Sequence, residues 1–371
     1  MAKYQNVGTP RFYVDYVQWG LSTGLIKTSL PTENENNEAE SEGFGGGGSY
    51  NENSHEFLFD RPHSSLPDIV KLFSLNPAEN VMSLPKSDTN SSLRELSINL
   101  QYASINDWAI NYGMVLNHNL KNAEAYLRFR GLNMLYDDDD SIDDNPLVNY
   151  IDGSQNPEYN GWSLAELSNF DTEYHDAINV RLKYLNNSNT TNIKIGCISI
   201  GQFYDMPHSP DLDLTMSKEF GGVKHKYNQG GALLTHANYT HPPVWGEGEA
   251  WGLYDASLNN LKNRRAGRRF WNLKFSYISA SDLMADIEML NIHPNDENDN
   301  PQGYEGYLGT NNFFSFMQKT LGGNLKFIFQ PDNTDFNSDG FAICTLDQDS
   351  ISIKQVAHNT YNISLKIVEV W

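Results

Sequence analysis

The stretch RRFWNLKFSY, residues Arg268 to Tyr277, gives the clearest structural signal in this chain. Apolar residues recur at every second position along it, so that Trp271, Leu273, Phe275 and Tyr277 share one side. Successive side chains of a β-strand point to opposite faces of the sheet. The alternation therefore predicts a half-buried strand with an aromatic face toward the core.

A short helix and a group of closing strands are predicted after that stretch. Thr310 is a candidate helix cap, and an apolar stripe at helical spacing is formed by Phe313, Phe314, Met317 and Leu321. Gly322 and Gly323 are predicted to end the helix. Residues 361–367 alternate again and predict the last strand. No recognisable catalytic constellation lies in this part of the sequence.

The order of these elements resembles the distal-tail and minor-tail protein family of tailed bacteriophages. The resemblance rests on the arginine-rich lead-in and Trp-x-Leu-x-Phe strand of 268–275, the pair Phe313-Phe314, the turn Gly322-Gly323, and a strand with a Pro-Asp turn at 327–332. It implies a mainly β protein that takes a structural place in a virion, as a ring-forming component of the tail or baseplate.

A second resemblance covers the middle of the chain. Residues 107–120, 201–207, 230–231 and 243–246 are similar to segments of β-sandwich modules in virion proteins of marine phages. In other proteins such modules bind carbohydrate, act as spacers or dock fibres. This resemblance implies a sandwich module without deciding between those roles.

Three regions follow from composition and spacing. Residues 1–85 begin with a predicted strand, Arg11–Trp19, and continue into an acidic, glycine-rich tract at 31–53. That tract is predicted to be a flexible loop, or to order only against a neighbouring subunit. Residues 246–371 form the tail-protein-like β domain with one or two short helices, and the strand at 11–19 is a candidate partner for it.

Residues 86–245 predict a β-sandwich with a jelly-roll-like arrangement. Its predicted strands are Leu93–Tyr102, Asn111–Asn117, Ala123–Arg130, Asp176–Leu185, Asn192–Gln202 and Leu212–Met216. The capping-box pattern of Ser163–Glu166 predicts one short helix within this region.

Composition limits the classes of partner and compartment. The chain has 371 residues, of which 39% are hydrophobic, which is enough for a substantial core. Its formal charge of −21 repels phosphate backbones and argues against nucleic acid as a partner. No stretch has the length of a membrane span and the N-terminus has no apolar signal core. We therefore expect no membrane insertion, and assembly in the host cytoplasm for a protein of the virion tail.

The residues that carry metal or nucleophile chemistry give weak patterns. Asp335–Gly340 matches the start of a calcium loop, but Leu346 stands where a glutamate ligand belongs, so a polar turn is favoured. The aspartates of 137–144 favour a solvated loop over a cation site. His236 and His241 lack a third nearby ligand. We expect no metal and no cofactor.

Nucleophilic catalysis finds no support either. His118 lies where a strand is predicted to end, and a structural, hydrogen-bonding role is favoured over catalysis. His208 and Ser209 lack the glycines of a nucleophile elbow. Cys197 and Cys344 each lie in a predicted strand and are expected to be buried free thiols. We therefore predict no catalytic residues and no enzyme activity.

A basic cluster stands out in this acidic chain, and it consists of Lys262, Arg264, Arg265, Arg268 and Arg269. A solvated turn is one reading. The alternative is an interface, in which arginine forks of one subunit meet acidic loops of the next subunit of a ring.

Sugar binding is the main functional rival, since an exposed aromatic ring can stack on a sugar. The candidates are Trp108, Trp162 and Trp245, with Trp251 and Tyr204 as further aromatic residues in this part of the sequence. Most tryptophans lie in cores or interfaces, so each assignment is an expectation only.

Taken together, the sequence predicts a structural virion protein of a tailed phage, in the distal tail or baseplate, linking tail tube, hub and fibres. Its expected partners are copies of itself, other tail proteins and, through the sandwich, a host-surface glycan. The alternatives are a carbohydrate-binding host-adhesion protein and a capsid decoration or neck protein, and a hydrolase is the least favoured.

Overall fold

The computed structural model describes residues 7–23, 26–27, 55–59, 69–77, 81–84, 93–99, 110–132, 149–150, 157, 160–166, 177–184, 191–212, 214–219, 223–237, 268–283, 311–336, 340–348 and 350–370. The fold is mainly β, as the sequence predicts. The acidic stretches at 31–53 and 137–144 lie outside the described residues.

The strands of the first half of the chain are β1 (Arg11–Asp15), β2 (Ile26–Lys27), β3 (His55–Phe59), β4 (Met82–Leu84), β5 (Leu93–Asn99), β6 (Tyr112–His118), β7 (Ala125–Leu132), β8 (Asn149–Tyr150), β9 (Gly161–Glu166) and β10 (Ala177–Tyr184). Those of the second half are β11 (Ile193–Ile195), β12 (Cys197–Asp205), β13 (Thr215–Glu219), β14 (Val223–Tyr227), β15 (Leu233–Ala237), β16 (Arg268–Ser279), β17 (Phe327–Gln330), β18 (Ala342–Leu346), β19 (Ile353–Ala357) and β20 (Thr360–Glu369). The helices are α1 (Tyr16–Thr23), a 3₁₀ helix (Ile69–Phe73), α2 (Ala280–Leu283) and α3 (Phe313–Lys319).

One large antiparallel sheet of 11 strands organises the fold. Its order is β13-β16-β20-β18-β17-β1-β12-β6-β9-β8, and β19 pairs with β20 beside that path. A second sheet of five strands has the order β2-β3-β5-β10-β7, while β4 with β11 and β14 with β15 form two-stranded pairs. The large sheet therefore contains strands from all three predicted regions. The boundaries at 85/86 and 245/246, and the jelly-roll arrangement, stay predictions.

Strand β1 joins the middle and C-terminal parts of the large sheet. Phe12 lies opposite Tyr204 of β12 on one side and opposite Phe329 of β17 on the other. All five residues of β1 are buried, so the strand is covered on both faces as well as paired on both edges. This accounts for its nearly continuous apolar and aromatic sequence.

The two faces of β1 enter two aromatic clusters. The Phe12 ring lies 4.7 Å from that of Phe316 and 5.2 Å from that of Phe329, measured between centroids. On the opposite face, Tyr13 lies 5.0 Å from Tyr112 in an edge-on arrangement. Such pairs add specific geometry to the area that they bury. The core is thus built on both sides of the central strand.

The predicted strand at Arg11–Trp19 is wrong in its second half, because the chain turns into helix α1 after Asp15. The Oδ1 atom of Asp15 accepts hydrogen bonds from the backbone N–H of Val17 at 2.9 Å and of Gln18 at 3.1 Å. An aspartate in this role caps a helix and satisfies two of its free donors.

The helix predicted at Ser163–Glu166 is also wrong, since these residues belong to strand β9. Both edges of β9 are paired, with β6 on one side and β8 on the other. The Ser163 hydroxyl is 3.0 Å from His118 Nε2, so this side chain is used across the sheet. Non-local strand pairing here overrides a local capping signal.

Helix α3 confirms the predicted Phe-rich helix but begins later than expected. Asn312 is the observed cap, and its Oδ1 accepts from the N–H of Ser315 at 2.8 Å. Thr310, the predicted cap, lies outside the described residues. The chain leaves the helix through Leu321, Gly322 and Gly323, which all have positive φ. Two glycines there avoid the strain that a Cβ atom adds in this conformation.

The other predicted strands are found with shifted ends. Those predicted at 93–102, 111–117, 123–130 and 176–185 correspond to β5, β6, β7 and β10. The one at 192–202 is divided into β11 and β12, and the one at 212–216 is observed as β13 at Thr215–Glu219. Leu212 precedes that strand and is fully exposed.

Candidate functional site

Arg269, one of the five predicted interface residues, is used inside the chain. Its Nη2 atom lies 2.7 Å from Glu369 Oε1 and donates to the carbonyl of Phe341 at 2.7 Å, while its Nε donates to Glu369 Oε2 at 3.0 Å. The Glu369 side chain is only 3% exposed. This ion pair therefore ties the start of β16 to the end of β20 within the core.

The remaining basic residues are placed differently. Arg268 opens β16, opposite Glu219 of the terminal strand β13, and is partly exposed. Lys262, Arg264 and Arg265 lie outside the described residues. An interface role for the five basic residues stays a prediction, although the Arg269 guanidinium is engaged by Glu369 and Phe341 within the chain.

The aromatic residues proposed for sugar stacking are buried wherever the structure describes them. Trp162 is 2% exposed, and its ring lies 5.1 Å from that of Phe341. Tyr204 is 5% exposed and its hydroxyl donates to the carbonyl of Asp282 at 3.3 Å. Neither ring has a face open to a sugar in this fold. Trp108, Trp245 and Trp251 lie outside the described residues.

His118 is a buried histidine with both ring nitrogens in use. Nδ1 accepts from the N–H of Leu120 at 3.3 Å, so Nε2 carries the proton and donates to the Ser163 hydroxyl at 3.0 Å. Burial lowers the pKa of His118 to about 3, which keeps the ring neutral. The buried, hydrogen-bonded ring fits the structural role that the sequence favours.

An ion cluster that the sequence did not predict lies at Arg11. Its guanidinium binds Asp205 through two hydrogen bonds of 2.7 and 2.8 Å and donates to Glu166 at 2.6 Å. It also lies 3.8 Å from the centroid of the Phe203 ring. Planar arginine suits this combination of fork and stacking contacts. The cluster links β1, β9 and β12 across the large sheet.

A second unpredicted group centres on Lys319, the last residue of α3. Its Nζ lies 2.6 Å from the Tyr16 hydroxyl and 3.2 Å from Gln202 Oε1, and the Tyr16 hydroxyl donates to that same oxygen at 2.7 Å. Lys319 is 2% exposed. Burial lowers the pKa of its amine well below the ordinary 10.5, since the charged form is poorly solvated there.

Replacing Lys319 with Met is expected to raise the free energy of unfolding at neutral pH. The Lys319 amine is protonated near pH 10.5 in the unfolded chain and only at a lower pH in the folded chain. The wild type therefore loses stability as the pH falls from the pKa of the unfolded state to that of the folded state. The advantage of Lys319→Met should therefore grow by up to about 1.4 kcal/mol per pH unit on the way down. Urea denaturation across that range measures it, and a difference that does not change with pH would contradict the buried neutral amine.

Asp15 is a second ionisable group held in the interior. Burial is the main cause that raises its pKa to about 8, while hydrogen bonds from Gln18 and Val17 pull the value back down. The carboxyl thus caps helix α1 in a site that disfavours its charge. Its carboxyl group stabilises the turn from β1 into α1.

Cys197 and Cys344 are free and buried, as predicted, and lie in β12 and β18. Burial raises the pKa of both thiols well above the ordinary range, so they are protonated and unreactive at neutral pH. Within the part of the chain that the structure describes, no group of three or more His, Cys, Asp or Glu side chains could hold a metal ion. None of the described helices is long and apolar enough to cross a membrane.

The exposed edge strands form the candidate functional surface. All five residues of β19 are exposed, and Ile353 and Val356 are 38% and 40% exposed. Strand β19 pairs with β20, and no other strand in the described part of the chain occupies its second edge. Strand β13 ends the main path of the large sheet and is likewise exposed along most of its length. Open edges of this kind can pair with strands of another molecule.

No known protein family, curated protein or solved structure matches this chain.

Proposed function

We propose that this chain is a structural subunit that assembles with copies of itself through open edges of its large sheet. The setting is the one that the sequence resemblance implies, the distal tail or baseplate of a tailed phage. There the subunit would hold a fixed place between tail tube, hub and fibres, and it would work by assembly and not by catalysis.

The observation that carries this proposal is the edge strand β19. Its sequence, IKQVA, places two aliphatic side chains, Ile353 and Val356, in solvent beside an open line of backbone donors and acceptors. Soluble proteins usually protect such edges with charges, prolines or a covering element. Strand β19 carries one such charge, Lys354, but its exposed Ile353 and Val356 are side chains that a strand of another chain can cover.

The use of the charged and polar groups inside the fold supports the same proposal. Arg11, Arg269 and Lys319 each connect residues that are far apart in sequence, with Lys319 and the Arg269–Glu369 pair buried and the Arg11 cluster partly buried. These links hold strands from the beginning, middle and end of the chain in one sheet. A stiff body with open edges suits a part that must keep its shape within a larger particle.

The substitution Val356→Lys tests the edge directly. Val356→Lys adds a charge to the open edge of β19 and is expected to weaken self-association at least tenfold, because an added strand would have to bury that charge. Leu212→Lys is the matched control, since Leu212 is fully exposed and precedes β13 instead of lying in an edge strand. Sedimentation velocity over a range of concentrations measures both variants.

Equal self-association of the wild type and Val356→Lys would contradict assembly through this edge. A wild-type protein that stays monomeric and binds host polysaccharide would favour the adhesion protein instead. Negative-stain images of the assembled protein should show closed rings if the tail setting is correct.

A further inference from the structure

The hairpin formed by β14 and β15, Val223 to Ala237, is here called the arm. Its two strands pair in register from Val223 opposite Ala237 to Tyr227 opposite Leu233. Among the described strands, neither of them pairs with any other. Within the described residues the arm is therefore a two-stranded ribbon whose outer edges meet no further strand, and a ribbon of this kind is marginally stable in water by itself.

The tip of the arm is a well-defined turn. The N–H of Asn228 donates to the carbonyl of Ala232 at 3.0 Å, and the N–H of Ala232 donates to Asn228 Oδ1 at 2.8 Å. Gly231 has φ +77, which a residue with a Cβ atom rarely adopts. The sequence thus specifies a hairpin here and fixes its register.

Large apolar side chains are exposed on both faces of the arm. Tyr227 is 74% exposed, Leu233 51% and Leu234 57%. The register places Tyr227 with Leu233 on one face and Leu234 with Lys226 on the other. Apolar side chains on a single face could be covered if the arm packed against its own molecule. If one face packed on the same molecule, the apolar residue of the other face would remain exposed and available to a partner.

The charge of the arm is opposite to that of the whole chain. It contains Lys224 and Lys226 and no aspartate or glutamate, whereas the full chain has a formal charge of −21. A basic element is attracted to acidic protein surfaces, and every further copy of this chain supplies one. Nucleic acid is a poor alternative, since the net charge of the chain repels it.

We propose that the arm docks against the acidic surface of a second copy of this chain, burying Leu234 and placing Lys226 at the contact. This inference rests on the proposed self-assembly and identifies the arm as an element of one subunit that contacts the next. Because the arm of one copy contacts a different surface on the next, the interface is heterologous. Repetition of such a contact closes a ring when the rotation per subunit allows it.

The test uses two arm variants in the full chain, each with a matched control. Leu234→Ser removes an exposed leucine from the arm, and Leu212→Ser removes one outside it. Lys226→Glu reverses a charge in the arm, and Lys121→Glu reverses an exposed lysine in the turn before β7. Self-association is measured by sedimentation velocity at low and high salt, and circular dichroism with thermal unfolding checks the fold.

Both arm variants are expected to weaken self-association at least tenfold, while both controls assemble as the wild type does. The loss in Lys226→Glu should shrink at high salt, and that in Leu234→Ser should persist, because salt screens charges and not apolar contacts. The melting temperature should stay unchanged in all four variants.

Arm variants that assemble as well as the wild type would overturn the arm contact and leave the proposed assembly through β19 standing. A wild type that is monomeric at every concentration would overturn both. Binding of a duplex oligonucleotide by the wild type, abolished in Lys226→Glu, would identify nucleic acid as the occupant and also overturn the proposal.

Discussion

Replacing Arg269 with Met is expected to lower the free energy of unfolding by about 3–5 kcal/mol, because the substitution leaves a buried carboxylate without its partner. The Glu369 side chain is 3% exposed and that of Arg269 is 14% exposed, so water cannot replace the lost contacts. The carbonyl of Phe341 loses its 2.7 Å hydrogen bond in the same variant. Urea denaturation measures the loss.

Two further variants identify the cause of that loss. Lys274→Met removes a cation from the same strand, where the side chain is 56% exposed and 3.9 Å from Asp211, and should cost less than about 1 kcal/mol. The double variant Arg269→Met with Glu369→Gln removes both charges and should recover part of the loss. An equal effect of Arg269→Met and Lys274→Met would contradict the buried pair.

Replacing Phe12 with Ala is expected to cost about 3–5 kcal/mol of stability, because the central strand loses a ring that the surrounding aromatic side chains cannot replace. Phe12 is fully buried, and the rings of Phe316, Phe327 and Phe329 lie within 5.7 Å of it between centroids. The cavity would open where strands of the N-terminal, middle and C-terminal segments meet.

Phe336→Ala is the matched control for that variant, since Phe336 is 37% exposed and should lose about 1 kcal/mol or less. Urea denaturation of both variants gives the comparison, with an unchanged dependence on denaturant showing that the folded state is intact. A loss at Phe12 no larger than at Phe336 would mean that β1 does not lie at the centre of the fold.

Local patterns in the sequence predicted the elements whose structure depends on local features. The alternation of RRFWNLKFSY is observed in β16 as far as Phe275, with Trp271, Leu273 and Phe275 buried. The prediction is wrong for Tyr277, which is 76% exposed because the pairing register shifts between Phe275 and Ile278. The Phe-rich helix and its glycine ending are also present in α3. In these elements period, cap and turn residues all favour the same structure, so one sequence suffices.

The predictions failed where distant residues decide the outcome. Ser163–Glu166 carries a helix-capping pattern, but pairing with β6 and β8 makes it a strand. Arg269 belongs to a basic run that favours solvent or an interface, and its partner Glu369 is 100 residues away in sequence. Lys319 has the position of an ordinary lysine at a helix end, and its partner Tyr16 is 303 residues away.

Exposure was equally hard to predict for the aromatic residues. Whether Trp162 is open to a sugar depends on Phe341, which lies far along the chain and covers it. The arm carries a charge signal in the sequence: it is a basic, acid-free segment with Gly230-Gly231 at its centre in a strongly acidic chain. Such a contrast in charge becomes informative once both faces of the hairpin are known to be exposed.

The mass of the purified wild-type protein in solution, measured by light scattering at low and moderate salt, tests the central claim most directly. We predict a discrete oligomer of the 42.0 kDa chain that loses subunits as salt rises, since charged contacts contribute to its assembly. A clean monomer at every concentration and salt would contradict a self-assembling structural subunit.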